Sequence, residues 1–228
     1  MKIGGIQKFS TVDYPGHTCA AIFTIGCNMR CGYCHNPELV LPEWYIEPIP
    51  EEDILAFLET RRGLLDGVAI SGGEPTMQKD LPEFARRLKS MGFLVKLDSN
   101  GTHPGVLAQM IDERLVDFIA MDIKGPLDRY SQIAARPIDV GAIMQSVALI
   151  KTVPHEFRTT IVRGQLVPED FYAVGELVCG ADRFALQRYR DAEAIVSPQF
   201  MGGDSFTDGE MEQARQIMAG FVKECVVH

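Results

Sequence analysis

The 228-residue sequence lacks a long apolar run, an amino-terminal targeting peptide and a cluster of basic residues. No stretch reaches the roughly 20 apolar residues that a membrane-spanning helix needs. Residues 1–4 begin a folded segment and not a charged, apolar leader. A phosphate backbone is bound by a basic face, whereas this chain has a net charge of −9. We therefore expect a cytoplasmic protein with no membrane and no nucleic acid among its partners.

The chain also lacks linkers, low-complexity segments and any repeat beyond an alternation of strand and helix patterns. Apolar, β-rich runs recur at a spacing of roughly 25 to 35 residues, with amphipathic stretches between them. The runs are residues 19–25, 67–71, 94–98, 118–124, 157–162 and 183–189. The amphipathic stretches are residues 51–62, 80–91, 105–115, 141–151, 169–178 and 208–222. This pattern predicts an α/β fold with one domain over residues 1–228, built as an open, partial (β/α)6 barrel of parallel strands.

Three of the six cysteines fall within eight residues, directly after the first predicted strand. Cys27, Cys31 and Cys34 have the spacing C-x3-C-x2-C. Three thiolates hold three irons of a cubane cluster and leave the fourth iron open to a substrate or cofactor, whereas a structural metal site is closed by protein ligands. The spacing therefore favours an iron–sulfur cluster that takes part in chemistry.

Two structural uses of these cysteines are the alternatives. A zinc site needs a fourth ligand, and His35, adjacent to Cys34, is poorly placed to complete the same tetrahedron. A disulfide framework is disfavoured because the other cysteines are scattered through apolar segments of a chain without a secretory signal. We expect those others, Cys19, Cys179 and Cys225, to be buried thiols.

Polar residues follow the second and third predicted strands, at the end where a parallel barrel collects its reactive groups. Gly72 and Gly73 let backbone groups come close to a ligand, and Glu74 supplies a carboxylate for a cation such as an ammonium group. The same residues also suit a tight turn between a strand and a helix. Asp98 and Ser99 end the third strand, where they can equally cap a helix or form a turn.

The fourth predicted strand carries charges where apolar residues are expected. Asp122 and Lys124 lie on one face because side chains alternate along a strand. Buried charges need partners, so these two pair with each other, or they bind the hydroxyls or carboxylate of a ligand or a cation. Arg158 and Arg190 continue the pattern on later strands, although Arg158 can equally mark an exposed strand end. For Trp44, the one tryptophan, we expect a role in surface packing.

With cysteines after the first strand, Gly-Gly-Glu after the second and polar residues after the next two, this chain resembles the radical S-adenosylmethionine enzymes. Tyr33, just before the third cysteine, fits the aromatic position of that family's motif. The chain further resembles the activating family of glycyl radical enzymes, in particular the group that serves anaerobic ribonucleoside-triphosphate reductase. That likeness rests on Ile-Gly-Gly-Ile-Gln-Lys at 3–8, Asp-Tyr-Pro-Gly at 13–16, Cys-His-Asn-Pro-Glu-Leu at 34–39 and Met-Asp-Ile-Lys at 121–124.

The resemblance implies that Cys27, Cys31 and Cys34 bind a [4Fe-4S] cluster, whose open iron takes the amine and carboxylate of S-adenosyl-L-methionine. It also implies a set of further contacts with that cofactor. These are Tyr33 beside the adenine, Gly72, Gly73 and Glu74 at the amino group, Asp98, Ser99, Asp122 and Lys124 near the cofactor or a monovalent cation, and Arg190 near the ribose. The chain lacks a second, ferredoxin-like set of cysteines, so we expect one cluster.

By the same resemblance, reductive cleavage of S-adenosylmethionine gives a 5′-deoxyadenosyl radical that abstracts hydrogen from a glycine of the partner reductase. Flavodoxin or ferredoxin would supply the electron, in an anaerobic host. Two alternatives stay open. One is a radical S-adenosylmethionine enzyme acting on a small molecule, as 7-carboxy-7-deazaguanine synthase does, and the other is a non-catalytic iron or zinc module that binds a partner.

Overall fold

The structure, a computed structural model, describes residues 1–228. Its strands, numbered in chain order, are β1 (Ile3–Ser10), β2 (Cys19–Thr24), β3 (Gly67–Gly72), β4 (Leu94–Ser99), β5 (Phe118–Asp122), β6 (His155–Ile161), β7 (Arg183–Arg188) and β8 (Glu224–Val227). Its α-helices are α1 (Pro37–Val40), α2 (Glu51–Glu59), α3 (Leu81–Ser90), α4 (Pro104–Asp112), α5 (Tyr130–Ala134), α6 (Val140–Ile150), α7 (Asp170–Leu177) and α8 (Asp208–Met218). None of the helices combines the length and the apolar character needed to cross a membrane.

The predicted α/β class with mostly parallel strands is confirmed. All six predicted strands are present as β2 to β7, and the six longer predicted helices are α2, α3, α4, α6, α7 and α8. The strands follow one another in chain order, and β1 and β8 each have a single neighbour, so the arrangement is open. Two further strands that were not predicted, β1 and β8, lie at the two ends of the strand order. Both are largely solvent-accessible edge strands, and β1 contains paired glycines, so neither shows the apolar run of a central strand.

The chain divides into two compact units, and the first comprises Met1–Asn28, Asn36–Ser99 and Gly105–Ile119. Here β1 pairs antiparallel with β2, and β2, β3 and β4 are parallel neighbours. Thr24 lies opposite Gly72, so β2 and β3 end at the same level. Phe84 and Leu88, one helical turn apart on α3, are both buried. Each such side chain contributes about 1.5–3 kcal/mol through its burial.

The second unit comprises Met29–His35, Asn100–Pro104 and Ala120–His228. Its strands β6, β7 and β8 are parallel, and their register places Phe157 opposite Phe184. Phe171 of α7 meets Phe184 edge to face, with ring centroids 6.5 Å apart, in the fully buried core. The expectation of one domain over the whole chain stays a prediction.

Candidate active site

The turn after β3 lies against the segment that leads into the first cysteine. The Gly73 amide donates to the Thr24 carbonyl at 2.8 Å, and the Glu74 amide donates to the Gly26 carbonyl at 2.7 Å. Gly72 has φ +112°, and a Cβ on Gly73 would collide with the Gly26 carbonyl. We expected these glycines to allow a close ligand. The structure shows that they are required first by the close approach of two backbone segments.

The Glu74 side chain is buried and collects several donors on one oxygen. Its Oε1 accepts from the Thr76 amide at 3.1 Å, from the Thr76 hydroxyl at 2.5 Å and from the Ser99 hydroxyl at 2.9 Å. Glu74 thereby caps the 3-10 helix Pro75–Met77. Two residues predicted at the ends of different strands, Glu74 and Ser99, are thus in direct contact, and the alternative of a structured turn is also correct for this segment.

Asp98 on β4 forms an ion pair with Lys96, two residues earlier on the same face of the strand. Lys96 is only 2 % exposed, which makes it one of the few buried charged residues of the first unit. A buried lysine is retained only with a partner, and Asp98 supplies one. Lys96 was not among the predicted site residues, although its position two residues before an aspartate on a predicted buried strand was the available signal.

The three predicted cluster ligands are divided between the two units. Cys27 belongs to the first unit, and Cys31 and Cys34 belong to the second. Cys31 is buried, whereas Cys27 and Cys34 keep part of their surface accessible. The Cys34 amide donates to the Cys31 carbonyl at 3.0 Å, so the C-x2-C part of the motif forms a tight turn. No three His, Cys, Asp or Glu side chains are grouped around a single ion position. A cubane takes one thiolate at each of its separate irons, so cysteine thiols are the donor type that it requires and a single ion position is not.

The remaining cysteines differ from one another in their surroundings. Cys19 is buried and Cys225 is partly buried, and burial raises the pKa of each thiol to about 11. Cys179, at the end of α7, is exposed. The expectation of a buried thiol was therefore wrong for Cys179, because it lies in the exposed turn after α7 and not on the face of the helix that packs on the core.

The loop after β7 packs on the cysteine segment of the second unit. The Val196 amide donates to the Cys34 carbonyl at 3.0 Å, and the Ser197 amide donates to the Gly32 carbonyl at 2.9 Å. The ring of Phe200 stands edge-on to Tyr33, with centroids 6.3 Å apart. These contacts were not predicted from the sequence, because they join segments more than 160 residues apart in the chain. They fix the backbone between the second and third cysteines.

Asp122, at the end of β5, stands between two cations. Lys124 Nζ donates to its Oδ2 at 2.9 Å, and Arg158 Nε donates to its Oδ1 at 2.6 Å. The predicted pairing of Asp122 with Lys124 is therefore present, and Arg158 joins it. Arg158 keeps only 18 % of its side chain exposed, so the alternative of an exposed strand end was wrong. We call Asp122, Lys124 and Arg158 the charged cluster, and it carries one net positive charge.

Burial and neighbouring charges shift the pKa values in the charged cluster in opposite directions. Burial alone would raise the pKa of Asp122, but Lys124 and Arg158 outweigh it and hold that pKa below its usual range. Burial would lower the pKa of Lys124, but Asp122 above all raises it well above its usual value. All three side chains are therefore ionised at neutral pH.

Two tyrosines border the charged cluster. Tyr130 is fully buried, and its hydroxyl donates to the Asp122 carbonyl at 3.2 Å. Burial raises the pKa of Tyr130, and also that of Tyr33, although the charge of Lys124 opposes both shifts. Both hydroxyls therefore stay protonated. Tyr33 thus lies in the electrostatic surroundings of Lys124, as does Cys31, which connects the cysteine segment with the charged cluster inside one unit.

Arg190 differs from the other predicted site residues in its exposure. It lies in the loop beyond the end of β7, and its side chain is exposed. Its predicted place near a ribose stays a prediction.

Comparisons with known proteins show the family of this chain and support its fold. The sequence profile of the Radical SAM superfamily matches residues 21–171. A candidate glycyl-radical enzyme activating enzyme of Methanocaldococcus jannaschii is 36 % identical over 99 % of this chain and 95 % of its own length. The 7-carboxy-7-deazaguanine synthase of Methanopyrus kandleri is 33 % identical over 50 % of this chain and 52 % of its own. Among solved structures, SuiB of Streptococcus suis matches 90 % of this chain and 47 % of its own at a TM-score of 0.67 and 12 % identity, which is a likeness of fold alone.

Proposed function

Because this chain belongs to the radical SAM superfamily, we propose that it is an activating enzyme that installs a glycyl radical on a partner enzyme. The observation that carries the proposal is the similarity to a candidate activating enzyme over nearly the whole of both chains. The similarity to a small-molecule enzyme covers only half of the chain. Membership of the superfamily implies a [4Fe-4S] cluster and S-adenosylmethionine as cofactors.

The cofactors provide the reactive species, and the protein binds and shields them. When bound, a [4Fe-4S] cluster and S-adenosylmethionine would supply the chemistry, a one-electron reductive cleavage of the S–C5′ bond that leads to removal of a hydrogen atom from a glycine Cα of the partner. The thiolates of Cys27, Cys31 and Cys34 would hold three irons. Burial of Cys31 and the fixed turn to Cys34 would keep water from the bound cluster.

The turn after β3 would receive the amino group of S-adenosylmethionine. Gly72, Gly73 and Glu74 lie beside the segment that leads to Cys27, and Glu74 adds a buried carboxylate. Because hydrogen bonds from Thr76 and Ser99 orient the Glu74 carboxylate, little reorganisation is needed when a cation arrives.

The charged cluster would bind the methionine carboxylate. Two cations share one aspartate, so Lys124 keeps donors beyond the one that it gives to Asp122. In this role Asp122 holds Lys124 and Arg158 in position and does not contact the ligand carboxylate itself. We also propose Tyr33 beside the adenine, Asp98 and Ser99 as further cofactor contacts, Arg190 near the ribose, and a monovalent cation near the aspartates.

The proposed protein substrate is anaerobic ribonucleoside-triphosphate reductase, and the proposed electron donor is flavodoxin or ferredoxin, all in the cytoplasm. Both follow from the resemblance of the sequence motifs at 3–8, 34–39 and 121–124. An open arrangement of strands can admit a loop of another protein, which supports a protein substrate.

Reconstitution with iron and sulfide under anaerobic conditions tests the proposed chemistry. The reduced wild-type protein should form 5′-deoxyadenosine from S-adenosylmethionine, and Cys31→Ala should form none, because one cluster ligand is lost. Cys179→Ala is the matched control, since Cys179 is exposed and outside the motif, and it should retain wild-type formation. A fully loaded, reduced wild-type protein without cleavage would contradict the enzyme and favour the binding module.

Addition of the purified anaerobic reductase tests the substrate. The expected result is a glycyl radical in the electron paramagnetic resonance spectrum of the reductase, formed together with 5′-deoxyadenosine. Cleavage without a radical on the reductase would contradict this partner. Turnover of a free small molecule would instead support the alternative reaction that the half-length similarity favours.

A further inference from the structure

An exposed aromatic segment connects α1 with α2. Within residues 42–50, which we call the aromatic loop, three successive large apolar side chains face solvent. Trp44 is 53 % exposed, Tyr45 is 38 % exposed and Ile46 is 41 % exposed. Single exposed apolar residues are ordinary, but contiguous ones mark interaction sites, and Trp and Tyr are enriched at protein interfaces. The expected role of Trp44 in surface packing does not account for this exposure.

The backbone of the aromatic loop is restrained at several points. It contains Pro42, Pro48 and Pro50, each of which restricts the backbone. The Trp44 amide donates to the Leu41 carbonyl at 2.9 Å, and the Ile49 amide donates to the Ile3 carbonyl of β1 at 2.8 Å. A loop that is ordered before binding loses little conformational entropy on binding, so its apolar side chains retain most of their binding energy.

The aromatic loop lies beside the predicted cluster segment in the same unit. The hydroxyl of Tyr45 is 3.8 Å from the position that a Cβ would occupy on Gly26, the residue before Cys27. Gln78 stands at the same place and donates to the Ile25 carbonyl at 2.8 Å. A protein that covered the aromatic loop would therefore also cover the approach to Cys27.

The aromatic loop itself carries charge of one sign. No lysine or arginine occurs between Arg30 and Arg61, whereas the loop itself carries Glu43 and Glu47. Both carboxylates are exposed, and neither forms an ion pair in the structure. A second copy of the chain would place these acids against each other in a symmetric contact, which like charges disfavour. The complementary surface is therefore apolar at its centre and basic at its rim.

We propose that the aromatic loop is the docking surface for the protein substrate, whose matching face is apolar and basic. This inference rests on the proposed function, since it assigns where the glycyl radical enzyme binds. Trp44 and Ile46 would be buried at the centre of the contact, and Glu43 and Glu47 would pair with basic residues of the partner.

Trp44 is the only tryptophan of the chain, so tryptophan fluorescence reports on the surroundings of this residue alone. Trp44→Ala and Ile46→Ala should each raise the KM for the reductase by about tenfold or more, the effect of losing a central contact. Formation of 5′-deoxyadenosine without the reductase should stay within about twofold of wild type, because neither side chain is among the cofactor ligands. Tyr172→Ala, which removes a 56 % exposed side chain of α7 in the second unit, is the control and should leave both quantities unchanged.

Charge reversal is the second arm of the test. Glu43→Lys with Glu47→Lys should weaken association, and the difference from wild type should shrink as salt is added. Equal KM for wild type and Trp44→Ala, with a glycyl radical formed in both, would overturn the docking surface and leave the proposed function standing. Cleavage by the wild type without any radical on the reductase would overturn the proposed function, and the docking surface with it.

Discussion

The turn after β3 and the end of β5 hold their polar groups by different physical means. In the turn, two backbone segments approach so closely that Gly72 and Gly73 are the residues that fit. At the end of β5, two cations hold Asp122 by direct ion pairs. The turn after β3 depends on glycines, which have no Cβ, and the end of β5 depends on opposite charges.

This difference teaches what each segment tolerates. A backbone contact is broken when one carbon is added, because a carbonyl cannot move aside as a flexible side chain can. A charged cluster is broken when one charge is removed, because the remaining charges stay partly buried without a counterion. At the end of β5, a substitution that removes a charge should therefore be costly even when it keeps the volume of the side chain. In the turn, a substitution that adds a carbon should be costly even when it leaves the charge unchanged.

Of the substitutions Asp122→Asn, Gly73→Ala and Tyr130→Phe, we expect Asp122→Asn to have the largest effect on stability. It keeps the size of the side chain but leaves Lys124 and Arg158 without their shared carboxylate. We expect the free energy of unfolding to fall by about 3 kcal/mol, the lower end for a buried pair because Asp122 is partly exposed. Urea denaturation of the metal-free protein measures this. Glu83→Gln, in an exposed pair with Arg86, is the control and should cost less than about 1 kcal/mol.

The pH dependence of that difference checks its origin. Because the pKa of Asp122 is lower in the folded protein than in the unfolded chain, its contribution is complete above the unfolded pKa of about 3.9 and is lost as the pH falls through the folded pKa. The stability difference between wild type and Asp122→Asn should be constant from pH 6 to pH 8 and should shrink below about pH 4. A difference that already shrinks near pH 6 would assign the effect to another group.

Gly73→Ala should have the next largest effect. The added methyl would displace the Gly26 carbonyl, and we expect a loss of about 2 kcal/mol in unfolding free energy. Gly105→Ala is the matched control, because a Cβ there meets no atom and lies at the start of α4, where alanine is the better helix former. Thermal unfolding should give opposite signs for the two variants. A neutral Gly73→Ala would show that the turn adjusts and that its shape does not require glycine.

The same contrast explains how much the sequence alone could predict. The apolar runs of β2 to β7 and the spacing of the cysteines are local patterns, and period-two alternation correctly placed Asp122 beside Lys124. The partner Arg158 is 36 residues away, so its position depends on which strands become neighbours. Val196 and Cys34, whose backbones are hydrogen-bonded, are separated by a still longer stretch of sequence. Such residues carry no local signal, because the fold and not the neighbouring sequence brings them together.

Tyr130→Phe should have the smallest effect and sharpens the account of β5. The substitution keeps the buried ring and removes the hydroxyl that donates to the Asp122 carbonyl at 3.2 Å. Because burial raises the pKa of Tyr130, the hydroxyl is a neutral donor throughout the usable pH range, and its loss should cost about 1 kcal/mol.

A double-mutant cycle with Asp122→Asn decides whether this hydroxyl belongs to the charged cluster. If Tyr130 supports only the backbone, the two losses should add within about 0.5 kcal/mol. A larger coupling would mean that the hydroxyl also positions the Asp122 side chain, and the end of β5 would then depend on a neutral hydrogen bond as well as on charge. The end of β5 and the turn after β3 would then differ only in degree, because the Glu74 carboxylate too is oriented by hydroxyl donors.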